Sequence, residues 1–219
     1  MNKLNDKLLR CLSLQNTFNM NVNKDWRKAN YPWARAMWIE AAELSDHLGY
    51  KWWKNTNADY DREQCLLELV DIFHFLLSDK MVKVNEKGTV IVDELISIYR
   101  YMQVHTRKTT KEATLAKIED FVHDCLSNIS ADMTKSYFAV VISLDFSIED
   151  VVDYYLGKNA LNLFRYDHGY MDGSYKKIWN GKEDNVILDE ILKTGERDFE
   201  TIYKTLNERY QSFIMENHQ

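Results

Sequence analysis

The sequence predicts an all-α fold, a helical bundle, and three observations carry that expectation. Breakers are scarce: 219 residues contain one Pro and seven Gly, amid many Leu, Glu, Lys and Asp, a balance that lacks the punctuation of β-proteins. Apolar residues recur at helical spacing along most of the chain. The run Cys65 to Leu77, CLLELVDIFHFLL, has ten apolar residues in thirteen, and a helix apolar all round is a buried one.

Residues 3–20 read as a first helix, with Leu4, Leu8, Leu12 and Phe18 near one stripe and Gln15 and Asn19 one turn apart. Pro32 fits the start of a second helix that runs to about Leu48, where Gly49 closes it. The connector Lys51-Trp52-Trp53-Lys54 is aromatic and basic, suited to covering a core or to walling a base pocket. A third helix covers about Asp61 to Lys80. Amphipathic stretches around Val90–Val104, Glu112–Leu126 and Ser136–Leu144 read as packing helices without recognisable chemistry. Ser147 with Asp150 resembles a capping box and opens a helix to about Arg165. A last helix spans Asp198 to Met215.

The length suits one domain with a full hydrophobic core and a smaller appended lobe. A net charge of −6 argues against a nucleic-acid groove but leaves a free nucleotide as a possible ligand. Cys11, Cys65 and Cys125 are odd in number and lack metal spacing, so neither a disulfide framework nor a zinc site is expected, and the reduced cytoplasm is the expected location. No stretch approaches the ~20 apolar residues of a membrane span.

The chemistry begins with four carboxylates. Glu68 and Asp71 interrupt the apolar run three residues apart, and Glu40 and Glu43 repeat that spacing on the second helix. Side chains at i and i+3 are neighbours on one helix face, about 5–6 Å apart at Cβ. Met37, Ala41, Leu44 and Leu48 flank the Glu40–Glu43 pair on the helical wheel, which sets these acids beside the buried stripe. If the two helices pack together, four carboxylates converge and demand a positive partner, because like charges at close range raise each other's pKa. Hard oxygen ligands suit Mg²⁺, with Mn²⁺ as a substitute.

A second constellation is cationic. Lys158, Asn162 and Arg165 stand at i, i+4 and i+7 on one helix face. The following segment, Tyr166 to Asn185, carries Gly169, Gly173 and Gly181 together with Tyr170, Tyr175, Lys176 and Lys177. Glycines let backbone N–H groups turn toward an anion, so this segment has the donors for a polyphosphate and the flexibility of a closing loop. A metal-binding acidic cluster plus such a loop is the pairing that phosphoryl chemistry needs.

The chain resembles the dimeric, all-α dUTPases of the all-α nucleoside triphosphate pyrophosphatase superfamily, in their bacterial and phage branch. The matching pieces are LQNTFN (Leu14–Asn19), EAAE (Glu40–Glu43), KWWK (Lys51–Lys54), ELVDIFHF (Glu68–Phe75), GKNALNLFR (Gly157–Arg165) and GYMDGSYKKIWNGKEDN (Gly169–Asn185). The two acidic pairs mark the superfamily, and the long C-terminal segment marks the dUTPase branch. The resemblance implies a single dUTPase-like domain, with a rigid core at about 1–82 and 147–219 and a smaller helical lobe at about 83–146 able to close over the site. It also implies a homodimer that hydrolyses dUTP, and commonly dUDP, to dUMP, with Glu40, Glu43, Glu68 and Asp71 binding Mg²⁺. By motif position, Gln15, Asn19, Trp53 and His74 hold the deoxyuridine moiety, while Lys158, Asn162, Arg165, Tyr170, Lys177 and Asn185 hold phosphates. Glu40 is the expected carboxylate that orients or deprotonates the attacking water.

Three rival readings keep parts of this chemistry. A di-iron helical bundle wants two Glu-x-x-His motifs, and the chain has neither. A pyrophosphatase for another or damaged deoxynucleotide would share the phosphate chemistry and change the base pocket. A nucleotide-gated binding protein would need no catalysis, yet all four acids are present.

Overall fold

Helices start and stop where the sequence supplies the ends. The computed structural model describes residues 3–53, 61–84, 87–127 and 130–217. Its helices are α1 (Lys3–Val22), α2 (Trp33–His47), α3 (Arg62–Lys83), α4 (Gly88–His105), α5 (Lys111–Ser127), α6 (Ser130–Ser143), α7 (Ile148–Asp167), α8 (Asp184–Lys193) and α9 (Phe199–Asn217). Strands β1 (Ile178–Trp179) and β2 (Lys182–Glu183) form an antiparallel hairpin, and a single 3₁₀ turn covers Trp26–Lys28.

Asp61 caps α3 by accepting from the Glu63 and Gln64 amides at 3.2 and 3.1 Å. The Ser147–Asp150 capping box forms reciprocally: Asp150 N donates to Ser147 Oγ at 3.1 Å and Ser147 N to Asp150 Oδ2 at 2.8 Å. Each such cap is worth about 1 kcal/mol. Pro32 stands at the start of α2, as its N-cap. Gly49 closes α2 with φ of 65° and an amide bond to Asp46 O at 2.9 Å. Helix α6 begins six residues before the sequence-based boundary, and α8 falls where no helix is expected.

The chain divides into two compact units, Met1–Val152 and Asp153–Gln219. In the first, α2 packs most extensively on α3, α5 lies on α2 and α6, α4 lies on α6 and α1, and α1 reaches α3. The segment expected as a smaller lobe supplies α4, α5 and α6 of this unit. Helix α3 is buried almost throughout, as its composition demands. Phe73 stacks on Tyr137 at 5.8 Å, and the Tyr137 hydroxyl donates to Leu69 O at 2.9 Å, fixing α6 to the middle of α3. Arg62 ties the start of α3 to the end of α6 by donating to Leu144 O and Asp145 O at 2.8 and 2.9 Å, with its guanidinium over the Phe146 ring.

The second unit has an aromatic core. Phe164 of α7 packs edge-on against Trp179 and Tyr210, and Trp179 lies 4.9 Å from Tyr210 between ring centroids. Asn180 and Gly181, with φ of 48° and 82°, supply the left-handed turn of the hairpin, the conformation that Asn-Gly adopts at least cost. Among the described residues no helix is long and apolar enough to cross a membrane.

All three cysteines are buried thiols outside any disulfide. Burial pushes the Cys65 thiol up to about 12, helped by the nearby Asp61 and Glu68 carboxylates, and burial likewise pushes Cys125 up to about 12. Because these folded-state values exceed the unfolded value of about 8.5, the folded chain binds more protons between those limits, and this contribution to stability is lost as pH rises through about 12. Thiol titration at neutral pH is expected to find no fast-reacting cysteine in the native protein and three after denaturation; a fast native thiol contradicts this packing.

Candidate active site

Helices α2 and α3 bring acids together. One carboxylate oxygen from each of Glu40, Glu68 and Asp71 lies within 4.8 Å of the others. Glu68 is 9% exposed, while Glu40 and Asp71 are half-buried. Glu43, one turn along α2, is exposed and lies outside this group of three. His47, a further turn along the same face, places Nε2 3.4 Å from Glu68 Oε1. The sequence reading missed His47, although its spacing of four from Glu43 and seven from Glu40 puts it on the acidic face. The three acids form a donor set of hard oxygens that could hold a metal ion.

Further along α3 runs a buried polar chain. His74 Nδ1 lies 2.7 Å from Gln15 Oε1, Gln15 Nε2 donates to Asn19 Oδ1 at 3.0 Å, and Asn19 Nδ2 donates to Ser78 Oγ at 2.9 Å. Ser78 Oγ in turn donates to His74 O at 2.9 Å. With the Gln15 amide so oriented, its oxygen faces His74 Nδ1 and places the proton there. Gln15, Asn19 and His74 are therefore brought together as expected, with Ser78 as an added member. Trp53 stands apart from this chain of bonds, 55% exposed, with its ring edge-on to Tyr50 and Trp52. Lys54, the last residue of KWWK, lies outside the described residues.

The second unit assembles the cationic residues around an acid that sequence reading overlooked. Asp184, fully buried, accepts from Arg165 Nε and from the same residue's terminal nitrogen, both at 2.7 Å, and from the Tyr175 hydroxyl at 2.8 Å. Asn185 Oδ1 accepts from Arg165 at 3.2 Å and from Lys158 Nζ at 3.3 Å, and Asn162 Oδ1 accepts from Arg165 at 3.3 Å. Lys158, Asn162, Arg165 and Asn185 are thus linked into one cluster. Tyr170 borders it, with the Arg165 guanidinium 5.9 Å from its ring centre. Lys177 stands off, about half-exposed, 3.6 Å from Glu183.

Burial alone would pull the Arg165 pKa down, and the bonds to Asp184 more than reverse this, leaving the guanidinium more firmly protonated than usual. Burial pushes the Tyr175 phenol up, and the facing Asp184 carboxylate pushes it further.

The all-α fold thus carries a metal-competent carboxylate group on two packed helices and, in its second unit, a guanidinium–amide cluster. The family model of dUTPase matches residues 7–170, and the chain belongs to this all-α dUTPase family, whose activity is dUTP diphosphatase. No match is found among curated proteins. The matched span takes in both acidic pairs, Gln15, Asn19, Trp53, His74, Lys158, Asn162, Arg165 and Tyr170, and it ends before Lys177, Asp184 and Asn185.

Asp184→Ala leaves the buried Arg165 charge without its carboxylate, so unfolding is expected to become easier by about 3–5 kcal/mol. Thermal or urea unfolding checks this, and a loss below about 1 kcal/mol, the scale of a surface pair, contradicts the arrangement.

Proposed function

We propose that the protein is a Mg²⁺-dependent, cytoplasmic, homodimeric enzyme that hydrolyses dUTP, and dUDP, to dUMP. The observation that carries this reading is the convergence of Glu40, Glu68 and Asp71 in a chain of the dUTPase family. Glu40, Glu68 and Asp71, whose carboxylate oxygens lie within 4.8 Å of one another, would hold the ion through hard oxygen donors, with Glu43 joining them from the next turn of α2. When bound there, Mg²⁺ lowers the pKa of water and offsets the charge developing on the phosphates.

Glu40 then accepts the proton of the attacking water as the new bond to phosphorus forms and a bridging P–O bond breaks. The products from dUTP are dUMP and pyrophosphate. Glu43, Glu68 and Asp71 serve as ligands. Gln15 and Asn19 offer carboxamides, which carry both donor and acceptor and so match the edge of uracil. His74 holds the deoxyuridine with them, and Trp53 presents an exposed ring on which a base can stack. Lys158, Asn162, Arg165, Tyr170, Lys177 and Asn185 hold phosphates. The fork of Arg165 is fixed by Asp184 before any phosphate arrives, which lowers the ordering cost of binding.

Release of dUMP from dUTP, with and without Mg²⁺ and beside dCTP, dTTP and UTP, tests the reading. Rapid turnover of dUTP alone, dependent on Mg²⁺, is expected; equal turnover of all four removes the uracil pocket, and no turnover removes the reaction. Glu40→Gln is expected to lower turnover by about 10²–10⁴-fold. Near-wild-type turnover of that variant at saturating Mg²⁺ overturns the role of Glu40.

A further inference from the structure

Helix α7 buries a polar group that the cluster beside it does not use. Asn159 is 3% exposed, and its Nδ2 is a buried side-chain nitrogen without a hydrogen-bond partner. Its neighbours in the chain are the phosphate-directed residues proposed above. Lys158 precedes it, and Asn162 lies three residues on, where i and i+3 side chains are adjacent on a helix face. Asn162 and Asn185 commit their amide oxygens to Arg165 and Lys158, whereas the Asn159 amide donor is uncommitted.

A buried donor left unpaired is destabilising, and an apolar residue of similar size would relieve the cost. The sequence could have made that exchange without disturbing α7, since Leu has better helix propensity than Asn. A donor held at a loss of stability one turn from Asn162, itself read as phosphate-binding, is explained if a ligand supplies the acceptor.

We propose that Asn159 is a further nucleotide-binding residue, whose Nδ2 donates to an acceptor oxygen of the bound nucleotide. The proposal rests on the reading of α7 as a phosphate-binding helix. The donor belongs to a neutral amide, so it adds direction without adding charge to a stripe that already carries Lys158 and Arg165. It fixes the orientation of the nucleotide where the cations supply attraction.

Asn159→Leu and Asn159→Ala test it, the second guarding against misfolding of the first. For each protein, the melting temperature is measured alone and with excess dUMP or pyrophosphate, and kcat and KM are measured on dUTP. Asn159→Leu is expected to melt about 2–4 °C above wild type, the shift that relief of one unpaired buried donor gives in a chain of this size. Both variants are expected to bind ligand about tenfold more weakly, the effect of one lost hydrogen bond to a charged group. Weaker binding of pyrophosphate places the acceptor on the outer phosphates; weaker binding of dUMP alone places it on the nucleoside monophosphate end. A higher melting temperature with unchanged ligand affinity overturns the proposal, as a solvent-filled site predicts, and so does a lower melting temperature with unchanged affinity, as a structural role predicts. Ligand-induced melting shifts need no turnover, so wild type that binds these ligands without hydrolysing dUTP refutes the proposed reaction and leaves the Asn159 result readable.

Discussion

Like charge on a buried helix is the constraint around which the first unit is arranged. Glu68 and Asp71 project from a helix that is otherwise apolar, and Glu40 meets them from α2. At 4.8 Å and an effective dielectric constant near 20, two carboxylates repel by about 3.5 kcal/mol, and three make three such pairs. His47 beside Glu68 can offset one charge only when protonated. A shared cation would offset these charges, which supports the proposal that the three acids hold a metal ion. The surrounding fold keeps the acids in place: the Asp61 cap, the Arg62 clamp on the end of α6 and the Tyr137 bond to Leu69 O all fix α3 along its length.

The second unit solves the opposite problem. Its guanidinium is buried beside an acid, so the charge is held rather than left to seek a partner. Asp184 takes two faces of Arg165 and the Tyr175 hydroxyl, and the amide oxygens of Asn162 and Asn185 share what remains. Aromatic packing of Phe164, Trp179 and Tyr210 supplies the apolar wall behind this network. The Asn-Gly turn delivers Trp179 to that wall, and Trp179 Nε1 is satisfied by Lys176 O at 2.6 Å. Unpaired Asn159 stands out against so complete a set of bonds.

The acids on α2 and α3 were legible in the sequence because helical spacing and an all-apolar run are local signals. The Gln15–Asn19 pair was legible for the same reason, and the bond between them has that one-turn spacing. Ser78 was not, since it enters through a contact 59 residues away from Asn19. Asp184 was hidden because an acid among Lys182, Glu183 and Asn185 reads as a solvated turn, and only the fold reveals its burial. Two signals were present and unread. Asn180-Gly181 between Ile178-Trp179 and Lys182-Glu183 is a hairpin turn by composition, and Ile187, Leu188, Ile191 and Leu192 have the spacing of the buried face that α8 presents. Glu43 shares the interval of its partner pair, and its exposure on α2 could be read only from the fold.

The most direct measurement is the melting temperature of the nucleotide-free protein with and without Mg²⁺, for wild type and for Glu68→Gln. If the acidic group is built for a cation, Mg²⁺ at about 100 times its dissociation constant stabilises wild type by about 2.7 kcal/mol. Glu68→Gln is then expected to melt higher than wild type without Mg²⁺, because one repelling charge is gone, and to gain little when Mg²⁺ is added. A wild-type melting temperature indifferent to Mg²⁺, or an equal rise in the variant, would contradict the assignment of these carboxylates as the metal site.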